Sequence, residues 1–551
     1  MLPLAILLLF TVCYLPFIAK AFHIDDPLFL WSARQIQAHP LDFYGFPVNW
    51  YGESKPMAEV MQNPPLTAYY LALAAWLAGW SEVALHLAML LPALGVLLGT
   101  YRLARALGAD ASIAALVTAF TPALFVSATT VMSDVPALCF AVWAVDLWVR
   151  GLRERRSALL AGSAFLVSLG ALTKYVDVAI IPLLLAYGLA SRKSLAAWAL
   201  WLLLPVAAIA GYETATRALY GHGLLTAASA YAGGAHHDSF TGVLARLAAG
   251  LAFTGGSFAP FVFFVRRLRP PLLPGTALGV LGASLAVPLF VFFFGNFPAQ
   301  STNWEVGVQL VGLSLVGAAV LALGLADLQR ERTAESLLLL LWVGGIFLFA
   351  TVVNWTLNVR SILPMAPAAA ILLARRLPLP ERPRAGVRRF WPIVPAAVFS
   401  MLVAWADLVF ASTGRDAAIA AAEAGRAAGT KVWFEGHWGF QYYGELHGLR
   451  AVDFVRTAAQ PGELLVLPET NANVFPAPTK FLRRLELRAF EQALPLTTMS
   501  FQRGAGFYSA VYGPLPFSFG SVPPERLQIF QLLNPLGPRQ HLAAPGPAGA
   551  P

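Results

Sequence analysis

Residues 111–150 read ASIAALVTAFTPALFVSATTVMSDVPALCFAVWAVDLWVR, and this stretch decides the fold. From Ala111 to Met132 no side chain is charged. Such a run is long enough to cross a bilayer core, which takes about 20 helical residues. The chain then turns through Met132-Ser133-Asp134-Val135-Pro136, and a second apolar run reaches Arg150. The pattern is a membrane hairpin carrying one carboxylate at its tip.

Further apolar runs lie outward from it, at residues 2–21, 82–101, 157–173, 175–191, 194–219, 244–265, 272–294, 306–326, 335–357, 361–377 and 390–411. Composition agrees. Of 551 residues, 58% are hydrophobic and 12% charged, with a mean hydropathy of +0.64. Soluble proteins carry about 25% charged residues. A chain this apolar cannot cover its surface with polar groups, which excludes a soluble enzyme, a nucleic-acid reader and a disordered scaffold. Cys13 and Cys139 both sit in apolar runs, so neither a disulfide framework nor a cysteine zinc site is available.

Leu66–Trp80 is shorter and reads as a span or as an interfacial helix. The distribution of basic residues favours the interfacial reading. With a cytoplasmic start, the inner connections collect Arg102 and Arg105, the Arg150–Arg156 cluster, Arg192 and Lys193, Arg266 to Arg269, Arg330 and Arg332, and Arg375 to Arg389. The outer side keeps only scattered cations such as Lys20, Arg34, Lys55, Lys174, Arg217, Arg246 and Arg360. This is the positive-inside bias, and it predicts about thirteen spans that start inside and finish outside. The net charge of +9 is therefore a topology signal. The first run lacks a basic leader and reads as a retained anchor.

From Ser412 the composition changes to mixed charge with strand-like runs at Lys431–Phe434, Glu463–Leu467 and Phe507–Tyr512, and a helical stretch at Thr479–Ala493. The expected architecture is an α-helical polytopic membrane protein: residues 1–411 form the membrane unit, with a first outer loop at 22–65, and residues 412–551 form a small extracytoplasmic α/β domain with a disordered tail. The implied location is a bacterial inner or plasma membrane, with no nucleic-acid partner.

Ionisable groups beside lipid are expensive, and here they gather at the outer ends. His23-Ile24-Asp25-Asp26-Pro27 follows the first span directly. Two adjacent carboxylates repel and require cations, hydrogen bonds or a divalent cation to offset them. Asp26 before Pro27, and Asp134 before Pro136, also read as helix N-caps. Lys174, in the turn between two spans, also reads as a snorkelling lysine. Arg360 precedes Leu363-Pro364 and Pro367. Carboxylates facing two cations at one interface suit a reaction between a lipid phosphate and a hydroxyl.

Taken together, these motifs resemble the membrane glycosyltransferases of the GT-C class, and within it family 39: protein O-mannosyltransferases, lipid A aminoarabinose transferases and lipopolysaccharide-core sugar transferases. The resemblance covers roughly residues 1–380. It rests on Asp25-Asp26, Pro64-Pro65-Leu66, Asp134-Val135-Pro136, Leu172-Thr173-Lys174 and Arg360 with Leu363-Pro364 and Pro367. It implies a GT-C-like fold, a polyprenyl-phosphate sugar donor, inversion at the anomeric carbon, and a lipid, glycan or protein acceptor. Asp25, as base, would form the catalytic set with Asp26 and Asp134, while Lys174 and Arg360 would engage the donor phosphate. Asn63 stands in the loop where the aminoarabinose transferases carry a phosphate-binding lysine, and Lys55 is the loop's own lysine. No cofactor follows from the residues, and a divalent cation at the acidic pair stays open.

Two further groupings have double readings. His222, His236, His237 and Asp238 form either a zinc site or a glycine-rich outer loop. Trp433, Phe434, His437, Trp438, Phe440, Tyr442 and Tyr443 serve either sugar stacking or a small domain's core. The rival class is a secondary transporter or flippase, which would place its charges at mid-membrane on repeated halves.

Overall fold

The structure, a computed structural model, describes residues 3–192, 195, 197–234, 240–268, 304–377, 388–472, 474–475, 479–492 and 494–537. Among these, seven helices are long and apolar enough to cross a membrane, or up to nine if two bent pairs each count as one span. The long ones are Glu82–Ala106, Asp134–Glu154, Tyr175–Arg192, Ala197–Tyr220, Trp304–Glu331, Ala334–Val353 and Ile393–Ala428. Three of the expected spans fall on shorter helices, Pro3–Tyr14, Ser157–Ala171 and Ala366–Arg376. The expected span at 272–294, the loop residues His236, His237 and Asp238, and the terminal tail lie outside the described residues.

The opening stretch breaks where its sequence says it must. Ala111–Ala119 and Pro122–Ala128 meet at 59°. Pro122 cannot donate to the helix ladder, and the Thr121 side chain accepts from Leu124 N to start the second piece. The carbonyl of Phe120, freed by the break, accepts from Ser400 Oγ at 2.7 Å on the last long helix. The bend turns Val131 and Asp134 toward the first loop.

Helices Phe240–Ser257 and Trp304–Glu331 approach until their backbones touch. A Cβ on Gly255 would lie 1.7 Å from the Leu313 carbonyl oxygen, and one on Gly317 would lie 2.0 Å from that of Leu251. Only glycine permits such packing, the small-residue logic of helix pairs in lipid. At the end of Asp134–Glu154 away from Asp134, ion pairs tie the helices together: Arg102 to Asp146 at 3.5 Å, Arg153 to Glu335 at 2.7 Å, and Arg375 to Asp327 at 2.6 Å.

The carboxy-terminal region contains a five-stranded mixed sheet. In space the strands run Arg450–Ala451, Val432–Phe434, Leu464–Pro468, Glu525–Leu532 and Leu482–Phe490. The first three run parallel to one another, and Glu525–Leu532 is antiparallel to both of its partners. The strands expected at 431–434 and 463–467 are present.

Three readings of this region need correction. Helix Ile393–Ala428 runs through residue 412, and the left-handed Gly429 (φ 62°) ends it, so the helical rod carries on beyond the apolar run. The expected helix at 479–493 is largely the strand Leu482–Phe490. Leu, Arg, Glu and Ala favour helix, but eight registered partners on Glu525–Leu532 override that preference. The segment 507–512 is not a sheet strand. It ends in a helical turn at Ala510–Tyr512, and its backbone bonds to the membrane unit: Val359 N donates to Phe507 O, and Ala510 N donates to Leu357 O.

The helix Trp438–Leu446 docks on the first loop. The Tyr443 hydroxyl accepts from Phe22 N at 2.9 Å and donates to Glu82 at 2.8 Å. A Cβ on Gly439 would sit 2.1 Å from the Phe22 carbonyl oxygen.

Candidate functional site

The first loop leaves the membrane unit through Ile24, whose φ of 49° is a genuine outlier for a β-branched residue. Strain of this kind persists only where the surroundings over-determine it, and it clusters at functional sites. It sets Asp25 and Asp26 on different courses at the start of helix Asp26–Ala38.

Asp26 turns inward and is fully buried. Its carboxylate accepts from His23 N at 2.9 Å and, across the structure, from Val131 N at 2.9 Å. It caps no helix; it fastens the loop to the hairpin that carries Asp134. Asp25 turns the other way. Its carboxylate is 31% exposed and meets Arg360 Nη2 at 2.9 Å.

Arg360 stands on the short helix Val359–Ile362, started by an Asn358–Ser361 capping box. Its fork joins three groups: Asp25, Asp134 at 3.9 Å and the Met132 sulfur at 2.8 Å. The guanidinium lies over the Tyr508 ring, 5.6 Å from its centre. Its Nε is buried with no hydrogen-bond partner among the described residues. Asp134 is buried and also takes Lys174 Nζ at 2.5 Å. Asp26 and Asp134 are each the first residue of their helix and not its N-cap, so neither N-cap reading holds: Asp26 is held by the two backbone amides, and Asp134 by its ion pairs. Lys174 reaches a carboxylate, which replaces the snorkelling reading, yet 24% of its side chain is exposed. The Pro65-Leu66 turn joins the same corner, since Leu66 N donates to Leu172 O at 3.2 Å.

Asp25, Arg360, Asp134 and Lys174 thus form one continuous ion-paired chain. Lys55 does not join it. It sits on the hairpin Pro47–Pro56 and pairs with Glu53 at 3.4 Å. The Asn63 carbonyl accepts from the Tyr44 hydroxyl at 2.7 Å.

Sequence reasoning passed over a second, deeper network. Asp407, in the middle of Ile393–Ala428, is fully buried and accepts from Lys20, from Thr498 at 2.8 Å and from Tyr508 at 2.7 Å. His23 bridges it to Asp26, with ring-nitrogen distances of 3.2 Å and 3.3 Å. Burial, and then the Asp407 charge, push the Tyr508 phenol up, so it remains a donor to that carboxylate. A lone acid within an apolar run was the available signal. Tyr51 and Tyr231, whose hydroxyls bond each other, lie within electrostatic reach of Asp25 and were also unforeseen.

The residues do not suit a divalent cation. No group of three His, Cys, Asp or Glu side chains that could hold a metal occurs among the described residues. Arg360 stands between Asp25 and Asp134, and Asp26 faces away. What remains is an accessible carboxylate beside two cations, one of them with a donor to spare.

Residues 62–212 match the family model described as dolichyl-phosphate-mannose-protein mannosyltransferase. This agrees with the resemblance to family 39, and the stretch holds the Pro64-Pro65, Asp134 and Lys174 motifs. No curated protein sequence matches. Among solved structures, the apo oligosaccharyltransferase of Archaeoglobus fulgidus is similar at 13% identity and a TM-score of 0.49, over 82% of this chain and 64% of that one. The chain therefore spans less than two thirds of the archaeal protein's length. Similar too are ArnT from Cupriavidus metallidurans bound to undecaprenyl phosphate (13% identity, TM-score 0.40, 85% and 92% covered) and the mycobacterial arabinofuranosyltransferase AftD (14%, 0.41, 98% and 40%).

Proposed function

We propose that this protein is a GT-C class membrane glycosyltransferase that moves a sugar from a polyprenyl-phosphate donor to an acceptor hydroxyl, with inversion, at the extracytoplasmic face. The observation that carries this is the Asp25–Arg360–Asp134–Lys174 chain, in which an exposed carboxylate adjoins two cations at one end of the helices. The description of the matching family supplies the donor chemistry, a sugar on a polyisoprenoid phosphate. The positive-inside distribution supports an outward-facing site.

The chemistry follows from the groups present. The acceptor oxygen bonds to the anomeric carbon from the face opposite the leaving oxygen, and its proton passes to Asp25. The bond from that carbon to the phosphate oxygen breaks, and its electron pair stays on the phosphate. Negative charge grows on the leaving group, where Lys174 and the unpartnered Arg360 Nε can bind it. A phosphate that takes the Arg360 fork displaces Asp25 from the guanidinium and leaves that carboxylate to the acceptor. Asp134 keeps both cations in register, and Asp26 holds the loop. An apolar lipid tail contributes orientation by confining the donor to the membrane.

The test uses purified protein, a panel of polyprenyl-phosphate sugars, and released polyprenyl phosphate as the readout. Asp25→Asn should fold and insert yet lose transfer by roughly 10²–10⁴-fold, since an amide cannot accept the proton. Full activity in that variant would remove Asp25 from the mechanism.

A further inference from the structure

Beside the catalytic loop lies a partly open recess between the membrane unit and the carboxy-terminal sheet. Its walls include His23 and Ile24, the two residues before Asp25, and Trp438, Glu525 and Arg526 from the carboxy-terminal region. We propose that this cleft is the acceptor subsite and that it takes a carbohydrate. The proposal rests on the transferase reading and names the acceptor class for it.

The first support is the posture of Trp438. Its φ is 64°, a left-handed conformation rare for a bulky residue. Neighbouring contacts hold it there. Gly439 abuts the Phe22 carbonyl, and Asn471 accepts from His437 N at 2.9 Å and donates to His437 O at 3.0 Å. Backbone strain of this kind clusters at ligand clamps, and here it falls on an aromatic residue in the wall of the cleft.

The second support is the polar lining of the cleft, which includes Glu525 and Arg526. Behind Trp438, with ring centres 5.7 Å apart, the Tyr512 hydroxyl is buried and has no hydrogen-bond partner among the described residues. Glu525 lies within electrostatic reach of it. The Glu525 carboxyl bonds to Thr470, through hydroxyl and amide, and burial pushes it up to about 7. Near neutrality it both donates and accepts. Arg526 adds exposed donors.

One aromatic face beside a carboxyl and a guanidinium is what a sugar ring requires: its apolar face stacks while its hydroxyl edge bonds. A peptide fits less well. The strand that lines the cleft, Glu525–Leu532, is paired along both edges and offers no free backbone ladder.

Two measurements on the full-length protein test this. Binding of gluco-, manno- and galacto-trisaccharides to the Asp25→Asn protein is followed by tryptophan fluorescence and calorimetry. Acceptor and donor KM are then measured in the active protein. At least one trisaccharide should bind, and Glu525→Gln, at a half-buried position, and Arg526→Ala, at an exposed one, should weaken it about tenfold. The same variants should raise acceptor KM far more than donor KM. Absence of saccharide binding, a preference for hydroxyl-bearing peptides, or binding unaffected by both variants would overturn the cleft assignment, whatever the transfer assay shows. Saccharide binding at the cleft without release of polyprenyl phosphate from any donor would instead sink the transferase reading.

Discussion

The two adjacent carboxylates of the first loop have opposite fates, and a single strained residue, Ile24, comes directly before them. Asp25 stays within reach of solvent against a cation, whereas Asp26 is buried against two backbone amides. Deleting the Arg360 fork should therefore act on donor use: Arg360→Ala is expected to raise donor KM about tenfold or more and to lower kcat, since a hydrogen bond to a charged group contributes about 1.5–3 kcal/mol. Unchanged donor KM and kcat would show that the phosphate lies elsewhere. Asp407 makes a different demand. Lys20 and His23 both depend on it in a fully buried site. Asp407→Leu leaves a buried ammonium unpaired, a loss on the order of 3–5 kcal/mol. Its thermal midpoint should fall by several degrees, and adding Lys20→Met should restore much of the loss. If the double variant melts no higher than the single, the pair is not the unit that stabilises this junction.

At the scale of elements, the breaks matter more than the helices. The Thr121-Pro122 bend aims the hairpin, the capping box at Asn358 aims Arg360, and the backbone contact at Gly255 and Gly317 sets how close two long helices come. The close contact gives a direct test. A side chain at Gly317 would need space already held by the Leu251 carbonyl, so Gly317→Val must push the helices apart. Reduced yield in detergent and a lower melting temperature are expected; wild-type melting would mean the helices are not packed this closely. The strand Leu482–Phe490 teaches the converse lesson. Its residues favour helix, and a registered neighbour decides otherwise.

At the scale of the whole molecule, the carboxy-terminal region is part of the site. Phe507 and Ala510 bond the segment before Arg360, Tyr508 stacks on Arg360 and holds Asp407, and Tyr443 clasps the first loop. Its stability should carry a signature of Glu525. Burial raises that carboxyl from 4.5 to about 7, so the folded state retains a proton that the unfolded state has lost. The contribution is then fully present below about pH 4.5, declines as pH rises, and is gone above about 7. Wild-type protein should lose thermal stability across that window relative to Glu525→Gln, whose amide does not titrate. Parallel profiles for the two proteins would exclude it.

The membrane character of the chain, the places of most of its helices and the candidacy of Asp25, Asp134, Lys174 and Arg360 were legible in the residues alone. Hydropathy runs, charge bias and short motifs are local properties, and local order is enough to read them. Partners are not local. That Asp26 would seek Val131, that Asp407 would be shared by Lys20 and His23, and that Lys55 would pair with its neighbour Glu53 all depend on which segments the fold brings together. Only the packed structure could decide those, because a buried charge takes whichever counter-group the surrounding helices deliver.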